Sequence, residues 1–184
     1  MTRIDPRVAC FVVLAGAMCA CQSPTAASTP DFIVATNTPD PAQASGPGTG
    51  KFYTIVGDAT HPDRTLEYDW LTQFTLAVTL TQDATSSSAN VKFPVNITSL
   101  TMKVQQASGG IVTPPTGGDV EHYEFVTNAS SNTFPSPNNT VNINFTVWYD
   151  LPSLRKEALI SVSLVFTDAN SATFSKTVNV RVAP

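Results

Sequence analysis

The chain has 184 residues, of which 13% are charged and 42% are hydrophobic, and its formal net charge at pH 7 is −4. Its 10 lysine and arginine residues are scattered along the sequence, whereas binding to a phosphate backbone requires concentrated positive charge. We therefore do not expect nucleic acid as a partner.

The N-terminus has the pattern of an export signal. Arg3 and Arg7 precede an uncharged, mostly apolar run at residues 8–20, which is shorter than the roughly 20 residues of a membrane-spanning helix. We therefore interpret residues 1–20 as a signal peptide. Because the 3 cysteines all fall before residue 22, we expect the mature domain to fold without a disulfide framework.

The apolar run ends in Met18-Cys19-Ala20-Cys21, which resembles a bacterial lipobox, with a small residue just before a cysteine. The resemblance implies lipidation of Cys21 and a protein anchored in the bacterial cell envelope, at the outer membrane or the cell surface. Lipoboxes prefer Leu where Met18 stands and a small residue where Cys19 stands. The alternative is an ordinary signal-peptidase site near Ala20 or Ala27.

Residues 21–50 contain the predicted lipidated cysteine and a stretch rich in Pro, Ser, Thr, Ala and Gly. Such a composition buries too little apolar surface to offset the entropy lost on ordering, so we predict a tether. Its apolar interruption, Phe32-Ile33-Val34, is either a docking patch or part of an unpatterned linker. The folded domain is then residues 51–184, a length that buries about two thirds of the unfolded surface.

Alternation of apolar and polar residues predicts that the domain is built from strands. In the clearest segment, residues 141–149, one face is Val, Ile, Phe, Val and Tyr, and the other is Asn, Asn, Thr and Trp, as in a half-buried antiparallel strand. A change of phase at Ser99 predicts a bulge or a corner, and the run from Asp168 to Ser171 predicts a hairpin turn. Residues 151–159 are the helical candidate. Six further segments are predicted as strands: residues 51–57, 74–82, 91–104, 121–127, 160–167 and 174–182.

Seven strands without a long helix favour an all-β fold in which two antiparallel sheets pack as a sandwich. The order of strands in residues 140–184 resembles the closing half of immunoglobulin-like domains of bacterial surface proteins. The resemblance implies an immunoglobulin-like sandwich of about seven strands, although the Cys…Trp…Cys marker of true immunoglobulin domains is absent. An architecture of this kind does not by itself specify an activity.

The candidate binding residues are aromatic and amide side chains. Alternation places Trp148 opposite the apolar face, beside Asn142 and Asn144, and aromatics flanked by amides suit protein contacts or sugar stacking. Tyr68 and Trp70 form a second candidate aromatic patch; the alternative is that Trp148 covers a sheet edge. We interpret the chain as a non-catalytic interaction or structural module, such as an accessory subunit of a surface-layer or outer-membrane assembly. A carbohydrate-binding module is an alternative.

A metal site is the other alternative. His61 and His122 are the 2 histidines, and with carboxylates such as Glu121 they would form a copper or zinc site if the fold brought them together. The exported β-sandwich build is similar to that of copper superoxide dismutases, which implies copper-dependent redox chemistry. Those enzymes use more histidines and usually a disulfide, so the site would be degenerate or completed by a partner. The simpler interpretation is that His61 is a solvated loop residue, that His122 lies at a strand edge, and that there is no cofactor.

Overall fold

The computed structural model describes residues 32–47, 50–82, 90–107, 123–151 and 157–184. Within these ranges the protein is all-β, as predicted, and no helix has the length and apolar composition of a membrane span. The strands of these ranges are β1 (Ile33–Thr38), β2 (Ala42–Ser45), β3 (Phe52–Ile55), β4 (Arg64–Glu67), β5 (Trp70–Leu80), β6 (Val95–Gln106), β7 (Tyr123–Ala129), β8 (Thr133–Phe134), β9 (Thr140–Tyr149), β10 (Ala158–Thr167) and β11 (Thr173–Ala183).

Nine of these strands form one curled sheet in the order β7-β9-β5-β2-β11-β10-β6-β8, with β1 also paired to β5. The first arm of the sheet consists of β7, β9, β5 and β1, and the second arm of β11, β10, β6 and β8. The short strand β2 joins the arms, because it pairs with β5 antiparallel and with β11 parallel. The remaining strands, β3 and β4, form a separate antiparallel hairpin.

The two arms share one hydrophobic core. Each long strand contributes alternate residues to it, and the predicted apolar face of β9 is at most 2% exposed. Phe74 of β5 stacks on Phe145 of β9, with ring centres 4.8 Å apart. Since burying one Leu, Ile or Phe side chain contributes about 1.5–3 kcal/mol, this core is the main source of stability. Its fully buried members on β10 are Ile160, Val162, Leu164 and Phe166.

All seven predicted strands overlap strands of the structure, and β1, β2, β4 and β8 are additional. The predicted bulge is confirmed, because the β6–β10 register shifts opposite Thr98. The predicted helix is wrong at its end, where Ala158 and Leu159 begin β10; residues 152–156 lie outside the described residues. With these four additional strands, the described residues contain more strands than the alternation predicted.

The hairpin turn between β10 and β11 is confirmed and is organised by Asp168. Its Oδ1 accepts hydrogen bonds from the backbone N–H groups of Asn170 and Ala172, both at 2.8 Å. Its Oδ2 accepts another from the backbone N–H of Lys92, at 3.1 Å. These bonds, that of Lys92 first, lower the pKa of Asp168. One carboxylate thus ties the turn to the segment that precedes β6.

The predicted tether is wrong where the chain forms β1 and β2. Ile33 is 1% exposed and Ala42 is fully buried, and the ring of Phe32 meets Phe174 edge-on, with centres 5.2 Å apart. The stretch as a whole has a polar composition, and this hides the alternation of Ile33 and Ala35 with exposed neighbours. Composition therefore indicated a linker. The predicted signal peptide, residues 1–20, and Cys21 lie outside the described residues.

Candidate functional site

The β3–β4 hairpin attaches to the first arm through a second, small apolar cluster. Tyr53 and Ile55 of β3 are each 6% exposed, and Tyr68, just after β4, is fully buried. The rings of Tyr53 and Tyr68 lie 4.7 Å apart. Trp148 of β9 packs against this cluster from the sheet side. The hairpin therefore covers the part of the outer face of the first arm where Trp148 lies.

Polar contacts fasten the rim of this junction. The Lys51 Nζ lies 2.8 Å from Oε2 of Glu124 on β7 and 5.4 Å from the centre of the Trp148 ring. The Tyr68 hydroxyl donates a hydrogen bond to Glu124 Oε1 at 3.3 Å. Because the Lys51 and Glu124 side chains are 39% and 42% exposed, their ion pair contributes less than about 1 kcal/mol. Its main effect is to fix the position of the hairpin beside β7.

Carboxylates lie at the base of the hairpin. Asp150 is 8% exposed and accepts a hydrogen bond from the backbone N–H of Asp69 at 2.5 Å. Burial and the negative charge of Asp150 together raise the pKa of Asp69. Burial and a hydrogen bond to Asp150 raise the pKa of Tyr53, and burial and the charge of Glu124 raise that of Tyr68. Both phenols therefore remain protonated and act as hydrogen-bond donors to carboxylates.

The hairpin also carries exposed apolar side chains. Phe52 is 53% exposed, Val56 is 48% exposed and Leu66 is 38% exposed; we call these three residues the hairpin surface. Because successive side chains of a strand point to opposite faces, Phe52 lies on the face opposite Tyr53. Leu66 is the cross-strand partner of Tyr53 and therefore lies on the Tyr53 face, at its exposed edge. Within the described ranges, the other large apolar residues with this degree of exposure are Val34 and Val126. Exposed apolar side chains are thus concentrated on the hairpin.

The predicted aromatic binding residues lie mainly inside the structure. Trp148 is half-buried beneath the hairpin. Tyr68 has no exposed surface, so the expectation of an exposed Tyr68–Trp70 patch is wrong. Trp70 is half-buried against the main core, and its ring lies so close to Gly46 that any side chain there would collide with it. Alternation placed Trp148 on the outer face of the sheet, but it could not show that another element covers that face.

Asn142 and Asn144 are exposed on the outer face of β9, as predicted. The Asn144 side chain accepts a hydrogen bond from the Thr75 hydroxyl at 2.7 Å. Two residues further along the strand pair, Gln73 Nε2 donates to the Thr146 hydroxyl at 3.2 Å. These four residues line a shallow cleft of about 330 Å³. The cleft offers hydroxyl and amide groups, which are the groups that bind sugar hydroxyls.

The predicted metal ligands do not assemble in the described part of the chain. His61 lies in the exposed loop between β3 and β4, with Nδ1 3.1 Å from Asp58 Oδ1. Hydrogen bonds from Thr60 and then from His61 lower the pKa of Asp58 to about 2. Among the residues that the structure describes, no group of three or more His, Cys, Asp or Glu side chains is arranged to hold a metal ion. His122 and Glu121, the other predicted ligands, lie outside the described residues.

No model of a known protein family matches this chain, and no curated protein matches it either. Function is therefore inferred from the geometry of the molecule itself.

The residues of the hairpin surface were not predicted as binding residues. The alternation in residues 51–57 indicated a strand, and the exposed position of Phe52 beside a buried Tyr53 follows from that alternation once the buried face is known. Strand β4, with the sequence RTLE, has only one apolar residue, Leu66, and its four residues are all exposed. A strand of this kind gives no periodic signal. The sequence therefore predicted β3 but not β4.

Proposed function

We propose that the chain is a non-catalytic, lipid-anchored interaction module of the bacterial cell envelope, and that the hairpin surface binds a partner protein of a surface-layer or outer-membrane assembly. The observation that carries the proposal is the concentration of Phe52, Val56 and Leu66 on one hairpin. The curled sheet is, in this proposal, a variant of the immunoglobulin-like sandwich. Cys21 is its lipid-bearing residue, and the domain lies outside the cytoplasm.

The contrast with the other surfaces supports this assignment. On the outer face of the second arm, two cross-strand pairs are hydroxyl and amide groups: Ser161 donates to Asn179 at 2.8 Å, and the hydroxyls of Ser163 and Thr177 are 2.9 Å apart. Large exposed apolar side chains are a common feature of protein–protein contact sites.

The way in which the hairpin is held also supports the proposal. The Tyr53–Tyr68 cluster fixes its base, and Lys51 fixes its flank by pairing with Glu124. A binding element that is already ordered loses less conformational entropy on association than a free loop does. The hairpin surface is therefore presented in a defined geometry.

Site-specific photocrosslinking in intact cells tests the proposal. A photoreactive amino acid at position 52 should give a discrete covalent adduct with an envelope protein, and changing Val56 and Leu66 to Ser should abolish it. The matched control is the same photoreactive residue at position 34, because Val34 is 48% exposed but lies on β1. An adduct of equal yield from position 34, or none from position 52, would contradict the assignment of the hairpin surface.

The lipid anchor is tested separately by intact mass spectrometry of the native protein. The proposal expects a mature chain that begins at Cys21 and carries the mass of acyl groups. A chain that begins elsewhere, or an unmodified Cys21, would contradict the lipid anchor. The photocrosslinking experiment would still test the hairpin surface independently.

A second candidate function, carbohydrate binding, is favoured by the cleft on the first arm, where aromatic residues lie beside amide and hydroxyl groups. Gln73, Thr75, Asn144 and Thr146 present amide and hydroxyl groups there. Titration calorimetry with soluble oligosaccharides of envelope polysaccharides should then show binding that Asn144→Ala weakens. Asn142→Ala is the matched control, because Asn142 is exposed on the same strand but does not line the cleft. Equal binding by both variants would exclude this cleft as the sugar site.

A further inference from the structure

The edge of the first arm is formed by β7, which pairs with β9 along its whole length. In the part of the chain that the structure describes, no strand pairs with the opposite side of β7. Its residues from Val126 to Ala129 are exposed, and Val126 is 55% exposed. An edge of this kind presents a row of backbone donors and acceptors that serves as a template for another strand.

The sequence of β7, YEFVTNA, has little of what usually protects a sheet edge. Natural edges carry lysine or proline, have bulges, or are very short. In this strand the single charged residue is Glu124, and Lys51 of the same domain already pairs with it. By comparison, the edge strand β8 has only two residues, and β1 is followed at once by Pro39. Among the described edges of the curled sheet, that of β7 is therefore the one best suited to accept a strand.

We propose that β7 of one molecule pairs antiparallel with β7 of a second copy, so that the chain forms a two-fold symmetric dimer. In a two-fold pair, a strand must be complementary to its own reverse. Centred on Val126, the middle residue of Tyr123–Ala129, the pairing places Glu124 opposite Asn128 of the second copy and Val126 opposite its equivalent. All seven positions of the strand are then paired across the axis.

The side chains are compatible with this register. Glu124 and Asn128 lie on the outer face, where the Asn128 amide can donate to the carboxylate of the other copy. On the inner face, Phe125 meets Thr127, an aromatic and β-branched pair of the kind that stabilises neighbouring strands. A pairing centred on Glu124 would instead place two like charges opposite each other, which is unfavourable. Charge thus disfavours the register centred on Glu124, and the register centred on Val126 is the one that pairs the whole strand. This inference does not depend on what the hairpin surface binds.

Sedimentation equilibrium of the full-length purified protein in a density-matched mild detergent tests the proposal. The wild type is expected to show a reversible monomer–dimer equilibrium. Val126→Lys places two lysines on the axis and should raise the dissociation constant by about tenfold or more. Val34→Lys is the matched control, because Val34 has comparable exposure on another strand, and it should leave the dissociation constant unchanged.

Two substitutions at Asn128 test the proposal independently of Val126, because they should change the dissociation constant in opposite directions. Asn128→Lys should strengthen the dimer by facing Glu124 of the other copy, and Asn128→Glu should weaken it. Circular dichroism of each variant checks that the fold is retained. A wild type that is monomeric at every concentration, or a dimer that is insensitive both to Val126→Lys and to the Asn128 pair, would overturn the proposal.

Discussion

The Lys51 ammonium lies 5.4 Å from the centre of the Trp148 ring, and this contact joins the β3–β4 hairpin to the sheet beneath it. The ring is covered on one side by the Tyr53, Ile55 and Tyr68 cluster. Trp148 therefore forms the base on which the hairpin rests. A role in stability follows from this position, in contrast to the exposed binding residue that alternation alone indicated.

Replacing Trp148 with Ala should lower the free energy of unfolding by about 2–3 kcal/mol, because a half-buried aromatic loses its contacts and leaves a partial cavity. Urea unfolding followed by circular dichroism measures the change. Asn142→Ala, on the exposed face of the same strand, should change the same quantity by less than about 0.5 kcal/mol. Equal unfolding midpoints for Trp148→Ala and the wild type would contradict the structural role.

The Lys51–Glu124 ion pair should have a small coupling energy. In a double-mutant cycle of Lys51→Met and Glu124→Gln, we expect about 0.5 kcal/mol at low ionic strength, because both side chains are partly exposed and screened by solvent. The coupling should decrease in 1 M salt, where the Debye length is about 3 Å. A coupling that does not change with salt would show that the two residues interact through packing rather than through charge.

Much of the main core could be predicted from the sequence, because a half-buried strand has a period of two that no other element imitates. Val141, Phe145, Ile160 and Leu164 are buried as that pattern requires. The bulge in β6 was visible for the same reason, since an additional residue reverses the phase of the alternation. Side chains that face the core within one strand are therefore the part of the fold that local sequence determines.

The short strands and the covering hairpin could not be predicted, because they depend on distant partners. Strand β2 pairs with two residues of β5 and two of β11, too few to produce a pattern. Tyr68 appears in the sequence as one polar aromatic among charged neighbours, and its burial results from the packing of Tyr53 against it. For the candidate site, alternation gave the face of Trp148 and Asn144, but not which of them the hairpin covers.

Asp69→Asn should stabilise the protein at neutral pH. Burial and the charge of Asp150 raise the pKa of Asp69 in the folded state, so the ionised carboxylate destabilises the fold at pH values above that raised pKa. An amide removes this cost, and the backbone N–H that bonds to Asp150 is retained. We expect the midpoint of thermal unfolding to rise by a few degrees at pH 7 and to equal that of the wild type below the ordinary carboxyl pKa of about 3.9. A lower midpoint at pH 7 would contradict the repulsion between the two carboxylates.

Asp168→Asn should have the opposite effect on the pH dependence of stability. Backbone hydrogen bonds, that of Lys92 first, lower the pKa of Asp168 in the folded state. The ionised carboxylate therefore stabilises the fold fully above the unfolded pKa of about 3.9, and this contribution is lost as the pH falls toward the lower folded pKa. We expect Asp168→Asn to be less stable than the wild type at pH 7, with a difference that narrows below about pH 4. Urea unfolding across this range measures it. Asn170→Ala is the matched control, because Asn170 bonds to Asp168 through its backbone N–H. The stability of this variant should therefore depend on pH as that of the wild type does. If the stability of Asp168→Asn shows the same pH dependence as the wild type, the role of this carboxylate is refuted.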